Sequence, residues 1–512
     1  MIMAHRDLIM MITIIVYLGM VIFTGVMIGK RMKKNTEGFY LGGRGVGPIV
    51  TAMSAEASDM SSYLLMGIPG LAYLSGLADA TWTAIGLCCG TYLNFLLVAK
   101  KLRRYSAEID AITIPSFFAK RFGEKKPVIT SISAIIIIIF FVPYVGSGLV
   151  AIGKLFNSLF GWNYMLAVVI GALVIISYTS VGGFTAVATM DLIQSVVMTT
   201  SLIIVVVYAV NQAGGLEAVD AAANAREGYL KLTESFSAET GGAIPYGPIT
   251  IVSTLAWGLG YFGMPHILAR FMAIRDENEI KYSRRIASVW VVISMGIAIF
   301  IGIVGYAVSV TGKIKFLEGS DTERVIVYLA DLLATHGVFT AIIGGIILAG
   351  ILAATMSTAD SQLLVAASAL SENLIQETFG KKLTEKQNLL VARGTVIGIA
   401  LVAIFIARDP ESSIFQIVSF AWAGFGACFG PAMLLSLYWR RCNRHGVMAG
   451  LIVSAVTIFI WKFVVRPLGG AWNIYELLPA FLAGLLTIVI VSLATKEPEK
   501  EITDVYDRVH AS

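Results

Sequence analysis

Charge is scarce in this chain. Asp, Glu, Lys and Arg together make up 14% of 512 residues, and 57% are hydrophobic; a soluble domain carries about a quarter charged residues. Mean hydropathy is +0.80. These values exclude an ordinary water-soluble fold. Cysteine is also rare. Cys88 and Cys89 are adjacent, Cys428 lies in an apolar run and Cys442 in a basic loop. None has metal-ligand spacing or a partner histidine, so a disulfide framework and a zinc site are both excluded. No nucleophile–base pair, cofactor loop or metal-ligand cluster stands out, which argues against an enzyme. Long polar stretches are missing too, apart from residues 211–247 and the tail after Lys496. That tail is too short for a signalling domain. The first apolar run exceeds a signal-peptide core and has no cleavage pattern after it.

What the chain has instead is apolar runs of about 20 residues, each long enough to cross a hydrocarbon core. The pattern predicts an all-α polytopic protein of 13 spans, centred near residues 18, 62, 90, 142, 171, 196, 258, 298, 355, 397, 425, 455 and 484. Allocated to alternating sides, most of the 38 basic residues fall on one face. That face takes Lys30, Arg31, Lys33, Lys34, Arg44, the cluster from Lys100 to Lys126, Arg270, Arg275, Arg440, Arg441 and the tail. The positive-inside rule then places the N-terminus outside and the C-terminus in the cytoplasm. The acidic 211–247 segment falls outside. Residues 112–122 ("ITIPSFFAKRF") predict an interfacial helix with Phe117, Phe118 and Phe122 turned to lipid.

Two spans are interrupted. The second holds "SAEASDMSSYLLMGIPG", with Glu56, Asp59 and four serines in a run that is otherwise apolar. The seventh holds "WGLGYFGMPH", with Gly258, Gly260, Gly263 and Pro265. They lie five spans apart. Discontinuous helices at matching places in two halves are where inverted-repeat transporters bind substrate and ion. The expected organisation is a first span and loop (1–46), a first repeat (47–210), the outer loop (211–247), a second repeat (248–440), two further spans (441–495) and a tail (496–512).

A carboxylate at mid-span needs a cation, a donor network or a proton. Asp59 therefore marks either an ion site or a helix break held by hydrogen bonds from Ser61, Ser62 and backbone NH groups. A second polar island, "AATMSTADSQLL", puts Ser357, Thr358, Asp360 and Ser361 in the ninth span. Hydroxyls from one helix and carbonyls freed at a break in another suit a hard cation such as sodium. Asp191, near the cytoplasmic end of the sixth span, fits an interfacial or first-turn acid favoured by a helix dipole. Tyr144, Trp257 and Tyr261 sit at mid-span, where they either pack or wall an apolar ring.

Taken in order, "FYLGGRGVGP", "SDMSSYLLMGIPG", "SFFAKRF", "SVGGFTAV", "WGLGYFGMPHILARFMA", "ILAATMSTADSQLLV" and "FAWAGFGACFGP" resemble the sodium:solute symporters, and among them the bacterial sodium/proline symporters. The likeness runs from about Gly38 to Glu476. It implies the leucine-transporter-like fold of two inverted five-helix repeats (spans 2–6 and 7–11) and sodium-driven uptake of L-proline across the bacterial cytoplasmic membrane. It further implies a sodium site made by Ala57, Met60, Ala354, Ser357 and Thr358. Substrate contacts would come from Ser61, Tyr144, Trp257, Tyr261 and Pro265, and coupling roles from Asp59 and Arg44. A second cation site in some relatives would here comprise Asp191, Ser357, Asp360 and Ser361.

Four features depart from the family pattern: Glu56 in place of glycine, Ser62-Tyr63 in place of Gly-Trp, Met264 in place of glutamine, and the acid Asp360 where a hydroxyl is usual. Glu56 is thus a possible proton or ion group. The expected function is alternating-access symport of L-proline with sodium in a lipid bilayer, with no nucleic acid and no obligate protein partner. The alternatives are a proton-coupled or differently selective small amino-acid carrier, and a solute sensor without net transport.

Overall fold

A chain that leaves water must satisfy its backbone hydrogen bonds internally, and helices do so within one segment. The computed structural model describes residues 5–29 and 36–511, and these are mostly helical. Lys30, Arg31, Lys33 and Lys34, assigned above to the basic face, lie outside the described residues. Among the described residues, ten helices are long and apolar enough to cross a membrane. They are α1 (His5–Gly29), α4 (Leu77–Glu108), α6 (Val128–Phe160), the second part of α7 (Gly183–Ala213), α11 (Glu277–Val310), α13 (Val338–Thr378), α14 (Glu385–Ile406), α15 (Ile414–Tyr438), α16 (Arg444–Leu468) and α17 (Leu477–Ala494).

The other apolar segments are shorter pieces. The expected second span is split into α2 (Pro48–Asp59) and α3 (Tyr63–Ser75). The expected fifth is the first part of α7, Tyr164–Ser177, which meets the second part at Gly183 in a left-handed conformation (φ 57°). The expected seventh is split into α9 (Pro248–Leu255), a 3-10 turn over Ala256–Gly263 and α10 (Pro265–Ala273).

Outside these helices, residues 211–247 fold into α8 (Leu216–Asn224) and an antiparallel hairpin pairing β1 (Glu234–Ser237) with β2 (Gly242–Pro245). The segment is pinned to the top of α3, where Tyr229 donates its hydroxyl to the Tyr73 carbonyl at 2.7 Å. A buried ion pair ties the same end of the bundle. Lys154 of α6 stands 2.7 Å from Glu323, whose carboxylate also accepts from Ser413 Oγ and the amides of Ile414 and Phe415 at the start of α15. At the opposite end, α18 (Lys500–Ala511) lies against the loops. Tyr506 and Val509 are buried, and His510 meets the Leu437 carbonyl at 2.8 Å.

Two sequence expectations need correction. Residues Ile114–Arg121 do form a short helix, α5, opened by a Thr113–Ser116 capping box. However, Phe117, Phe118 and Phe122 are buried in protein rather than turned to lipid. Phe117 packs edge-on against Tyr105, and Phe118 stacks on Phe429 of α15. Aromatic neighbours on α4 and α15 thus offered a better partner than lipid. Arg270 is the second correction. It was assigned to a basic flank, yet it lies inside α10 and is 1% exposed.

Candidate substrate and ion site

The break in the α2–α3 segment is local and well defined. Helical geometry ends at Met60 (φ −76°, ψ 51°), whose amide still reaches the Glu56 carbonyl at 2.8 Å. The Ser61 amide folds back onto the Asp59 carbonyl at 2.8 Å, and Ser61 Oγ accepts from the Tyr63 amide at 3.2 Å. Serine suits this place because its hydroxyl competes for backbone groups where a helix would otherwise continue.

Opposite the break stands α13. Ser357 Oγ donates to the Ala57 carbonyl at 2.7 Å and approaches the Ala354 carbonyl at 3.2 Å. One residue on, Thr358 Oγ1 is buried and has no hydrogen-bond partner among the described residues. Three of the five residues expected to hold sodium therefore meet directly through Ser357, and a fourth carries an unsatisfied oxygen on the same helix. Oxygens of this kind, with no formal charge of their own, suit a hard monovalent cation. The fifth, Met60, is the break itself.

Asp59 is held by two tyrosines from different helices. Tyr261 donates its hydroxyl to Asp59 Oδ2, and Tyr144 of α6 donates to the Asp59 carbonyl at 3.2 Å. Oδ2 thus accepts from a phenol, and among the described residues no bond joins it to Ser61 or Ser62, the donors named in one of the two readings of the sequence. Ser62 Oγ is buried without a partner. Trp257 and Tyr63 stack with ring centroids 5.5 Å apart, and Trp257 also lies flat on Tyr475 at 5.1 Å. The Trp257 carbonyl accepts from the Trp422 indole at 2.8 Å. Aromatic rings therefore cover the site on the side of α3 and α15.

The glycines of the second break allow this closeness. A side chain at Gly260 would overlap the Trp422 indole, and one at Gly263 would meet the Phe425 carbonyl. Pro265 opens α10 at a first-turn position, where its missing NH costs nothing. Glu56 is 1% exposed, and its Oε2 has no partner among the described residues.

Arg44 lies elsewhere. Its guanidinium donates to the carbonyls of Met272, Ser106 and Ala111 at 3.0, 3.1 and 2.7 Å, and to Ser106 Oγ at 3.1 Å. Beside it, the Val46 amide bonds the Ala273 carbonyl, and the Arg275 amide bonds the Val46 carbonyl. Arg44 thus braces the segment before α2 against the ends of α4 and α10, away from Asp59's own partners.

The second polar island is arranged around a residue that the sequence reading missed. Arg270 pairs with Asp191 Oδ2 at 3.0 Å, bonds Ser54 Oγ at 2.8 Å and its own helix at the His266 carbonyl at 2.7 Å, and donates to Ser361 Oγ. Ser54 Oγ also donates to Asp191 Oδ2 at 2.6 Å, and Ser361 Oγ donates to Asp360 Oδ1 at 3.3 Å. Of the four residues expected to form a second cation site, Asp191 and Ser361 meet through Arg270, Asp360 adjoins them, and Ser357 turns to Ala57 instead. A charged residue four positions past His266 in an otherwise apolar half-helix was the available signal.

Buried oxygens gathered where two interrupted helices face an intact one, within a polytopic helical bundle, define a membrane transporter. The chain belongs to the sodium:solute symporter family, whose model matches residues 39–454. It is 41% identical over 496 residues to the osmoregulated proline transporter of Bacillus subtilis (strain 168), covering 96% of each chain. It is 40% identical to the sodium/proline symporter of Escherichia coli (strain K12), covering 96% of this chain and 94% of that one. Among solved structures, it superposes with a TM-score of 0.78 on a sodium-coupled sialic acid symporter in a substrate-bound outward-open state. That match is 18% identical and covers 96% of this chain and 99% of the other. MhsT, solved in complex with L-phenylalanine, gives a TM-score of 0.52 at 14% identity, covering 88% of this chain and 99% of that one. The protein is a multi-pass membrane transporter, not an enzyme.

Proposed function

We propose that the protein imports L-proline together with sodium by alternating access across a bacterial cytoplasmic membrane. The observation that carries this reading is the Ser357–Ala57 contact across the broken helix, beside the unpartnered Thr358 hydroxyl. Sodium would be held by the carbonyls of Ala57, Met60 and Ala354 and the hydroxyls of Ser357 and Thr358. The relatives named as proline carriers support the choice of substrate.

In this reading Asp59 holds Tyr261 and shapes the pocket. Ser61, Tyr144, Trp257, Tyr261 and Pro265 surround the substrate, whose ring packs on the aromatics while helix ends receive its charged groups. Arg44 stabilises the closed cytoplasmic side. Coupling requires sodium and proline each to bind one state better than the other, because equal affinity shifts nothing. The architecture we propose has 13 spans, two five-helix inverted repeats at 47–210 and 248–440, the N-terminus outside and the C-terminus in the cytoplasm.

The test is uptake of labelled proline into proteoliposomes with sodium and proton gradients imposed separately. Uptake driven by sodium alone is the expected result. Uptake indifferent to sodium but driven by protons would replace this reading with a carrier that uses Glu56 or Asp360. Binding without net flux would make the protein a sensor.

A further inference from the structure

Where α6 and α16 begin, beside the tail helix α18, two cavities of about 430 and 480 Å³ adjoin and share Arg444 and His445 in their walls. The first is also lined by Lys125, Lys126, Val128 and Met448. The acids nearby are already engaged. Glu124 caps α6: its carboxylate accepts from the Ile129 amide, from the Thr130 amide at 3.2 Å and from the Thr130 hydroxyl at 2.9 Å. Glu499 pairs with Lys125 at 3.1 Å, and Glu497 pairs with Arg441 at 3.4 Å. Among the described residues, no ion pair reaches Lys126 or Arg444. Arg444 Nε instead donates to His445 Nε2 at 3.3 Å, so a guanidinium and an imidazole share one wall.

Both α6 and α16 are long and apolar enough to cross a membrane, so their first turns stand at the level of the lipid headgroups. Basic pockets between such helices are suited to anionic headgroups. Deeper in, Val128, Ile135 and Ile139 of α6 and Ile452 and Val456 of α16 are exposed apolar side chains. The two helices meet at Phe140 and Phe459, whose ring centroids are 5.9 Å apart. That contact lies roughly 11 residues, or about 17 Å, in from the cavity wall. This is close to the depth of one leaflet of a hydrocarbon core about 30 Å thick.

We propose that the paired cavities bind one anionic phospholipid, with its phosphodiester on Lys126, Arg444 and His445 and an acyl chain along the exposed faces of α6 and α16. The guanidinium presents a planar fork to phosphate oxygens, and the lysine adds a point charge. A soluble anion would use the basic wall alone, whereas the apolar faces that continue from it match a lipid. The site shares no residue with the sodium and proline positions named above and does not depend on their assignment.

The test titrates the purified full-length carrier in detergent with phosphatidylglycerol, with phosphatidylcholine of the same chains, and with glycerol phosphate. Native mass spectrometry counts retained lipid, and thermal unfolding reads stabilisation by ligand. One retained phosphatidylglycerol and a raised melting temperature are expected, and the other two probes should give neither at matched concentration. Lys126→Gln/Arg444→Gln should weaken retention about thirtyfold, because each basic residue near an anionic surface contributes about fivefold. Lys381→Gln/Lys382→Gln removes two exposed cations outside both cavities and should leave retention unchanged.

Equal retention of phosphatidylcholine, or equal loss in the two double variants, would overturn the proposal in favour of general lipid or charge effects. Glycerol phosphate bound as tightly as the lipid would overturn it in favour of a soluble anion. A photoactivatable phosphatidylglycerol on the wild type serves where Lys126→Gln/Arg444→Gln does not fold. Adducts within 124–129 and 444–448 are expected, and adducts confined to other segments would overturn the proposal.

Discussion

The hydroxyl of Ser357 donates to the carbonyl of Ala57 at 2.7 Å across 300 positions of chain. Neither residue carries a charge. Together they join a broken helix to an intact one at the level of Asp59. In the function proposed above, this contact makes the sodium-binding oxygens a property of two helices at once, so a shift of one helix against the other would change the site.

Thr358→Ala should separate ion binding from stability. The Thr358 hydroxyl is buried without a partner, so its removal relieves an unsatisfied group in sodium-free protein. The sodium-free melting temperature is expected to hold or rise slightly. The half-saturating sodium concentration in proline uptake should rise roughly tenfold, as expected for loss of one ion–oxygen contact worth about 1.5 kcal/mol.

Tyr261→Phe removes the donor on Asp59 Oδ2. A hydrogen bond to a charged group is worth about 1.5–3 kcal/mol, which corresponds to roughly ten- to hundredfold in affinity. The loss should appear in the sodium dependence of proline uptake. Tyr144→Phe removes a bond to a carbonyl only and should cost about 0.5–1.5 kcal/mol. Equal effects of the two substitutions would contradict the assigned geometry.

The buried Lys154–Glu323 ion pair predicts an asymmetry. Without Lys154, the Glu323 carboxylate still has the Ser413 hydroxyl and two amides. Without Glu323, the buried Lys154 ammonium keeps, among the described residues, the Ser320 carbonyl at 3.2 Å. Breaking a buried pair costs about 3–5 kcal/mol, so Glu323→Ala should lie at the upper end and Lys154→Met well below it. Thermal unfolding in detergent reads the difference.

The tail helix gives a pH prediction. The Arg440 guanidinium, bonded to both oxygens of Asp507, holds that carboxyl below its usual range. A depressed folded value means that the pair stabilises docking above the normal carboxylate range, and that this is lost as pH falls through the depressed value. Between pH 6 and 8 no change from this pair is expected. Because the pair is exposed, salt should weaken it as well. A fluorescent label on α18 should report release in acid and in high salt, and Arg440→Gln should abolish the acid response.

Gly260→Ala tests the close approach of the second break. The added methyl would overlap the Trp422 indole, and forced overpacking costs about 1–3 kcal/mol. A lower melting temperature with reduced proline uptake is expected. Gly296, with open space around it, serves as the control position for the same substitution.

Much of this was legible before any coordinates. Helix-length apolar runs follow from composition, and the breaks at Met60 and over Ala256–Gly263 follow from serine and glycine clusters that cannot continue a helix. Asp59 was legible as costly, because a lone acid in hydrocarbon demands a partner. What pattern alone misses is direction. The phenylalanines of α5 have the same hydrophobicity whether they face lipid or Phe429, so only packing decides between them. Arg270 was misread for a related reason: a basic residue near a span end has the same local signal whether it meets water or a buried acid 79 positions earlier.

By itself, then, the sequence determined that the chain crosses a membrane many times and breaks two of its helices, because backbone satisfaction and polar cost in hydrocarbon are local properties. Tertiary structure alone decided that Ser357 meets Ala57, which phenol holds Asp59 and which cation holds Asp191. Those pairings join residues that are far apart in the chain, and only the packing of helices from both halves sets their distances.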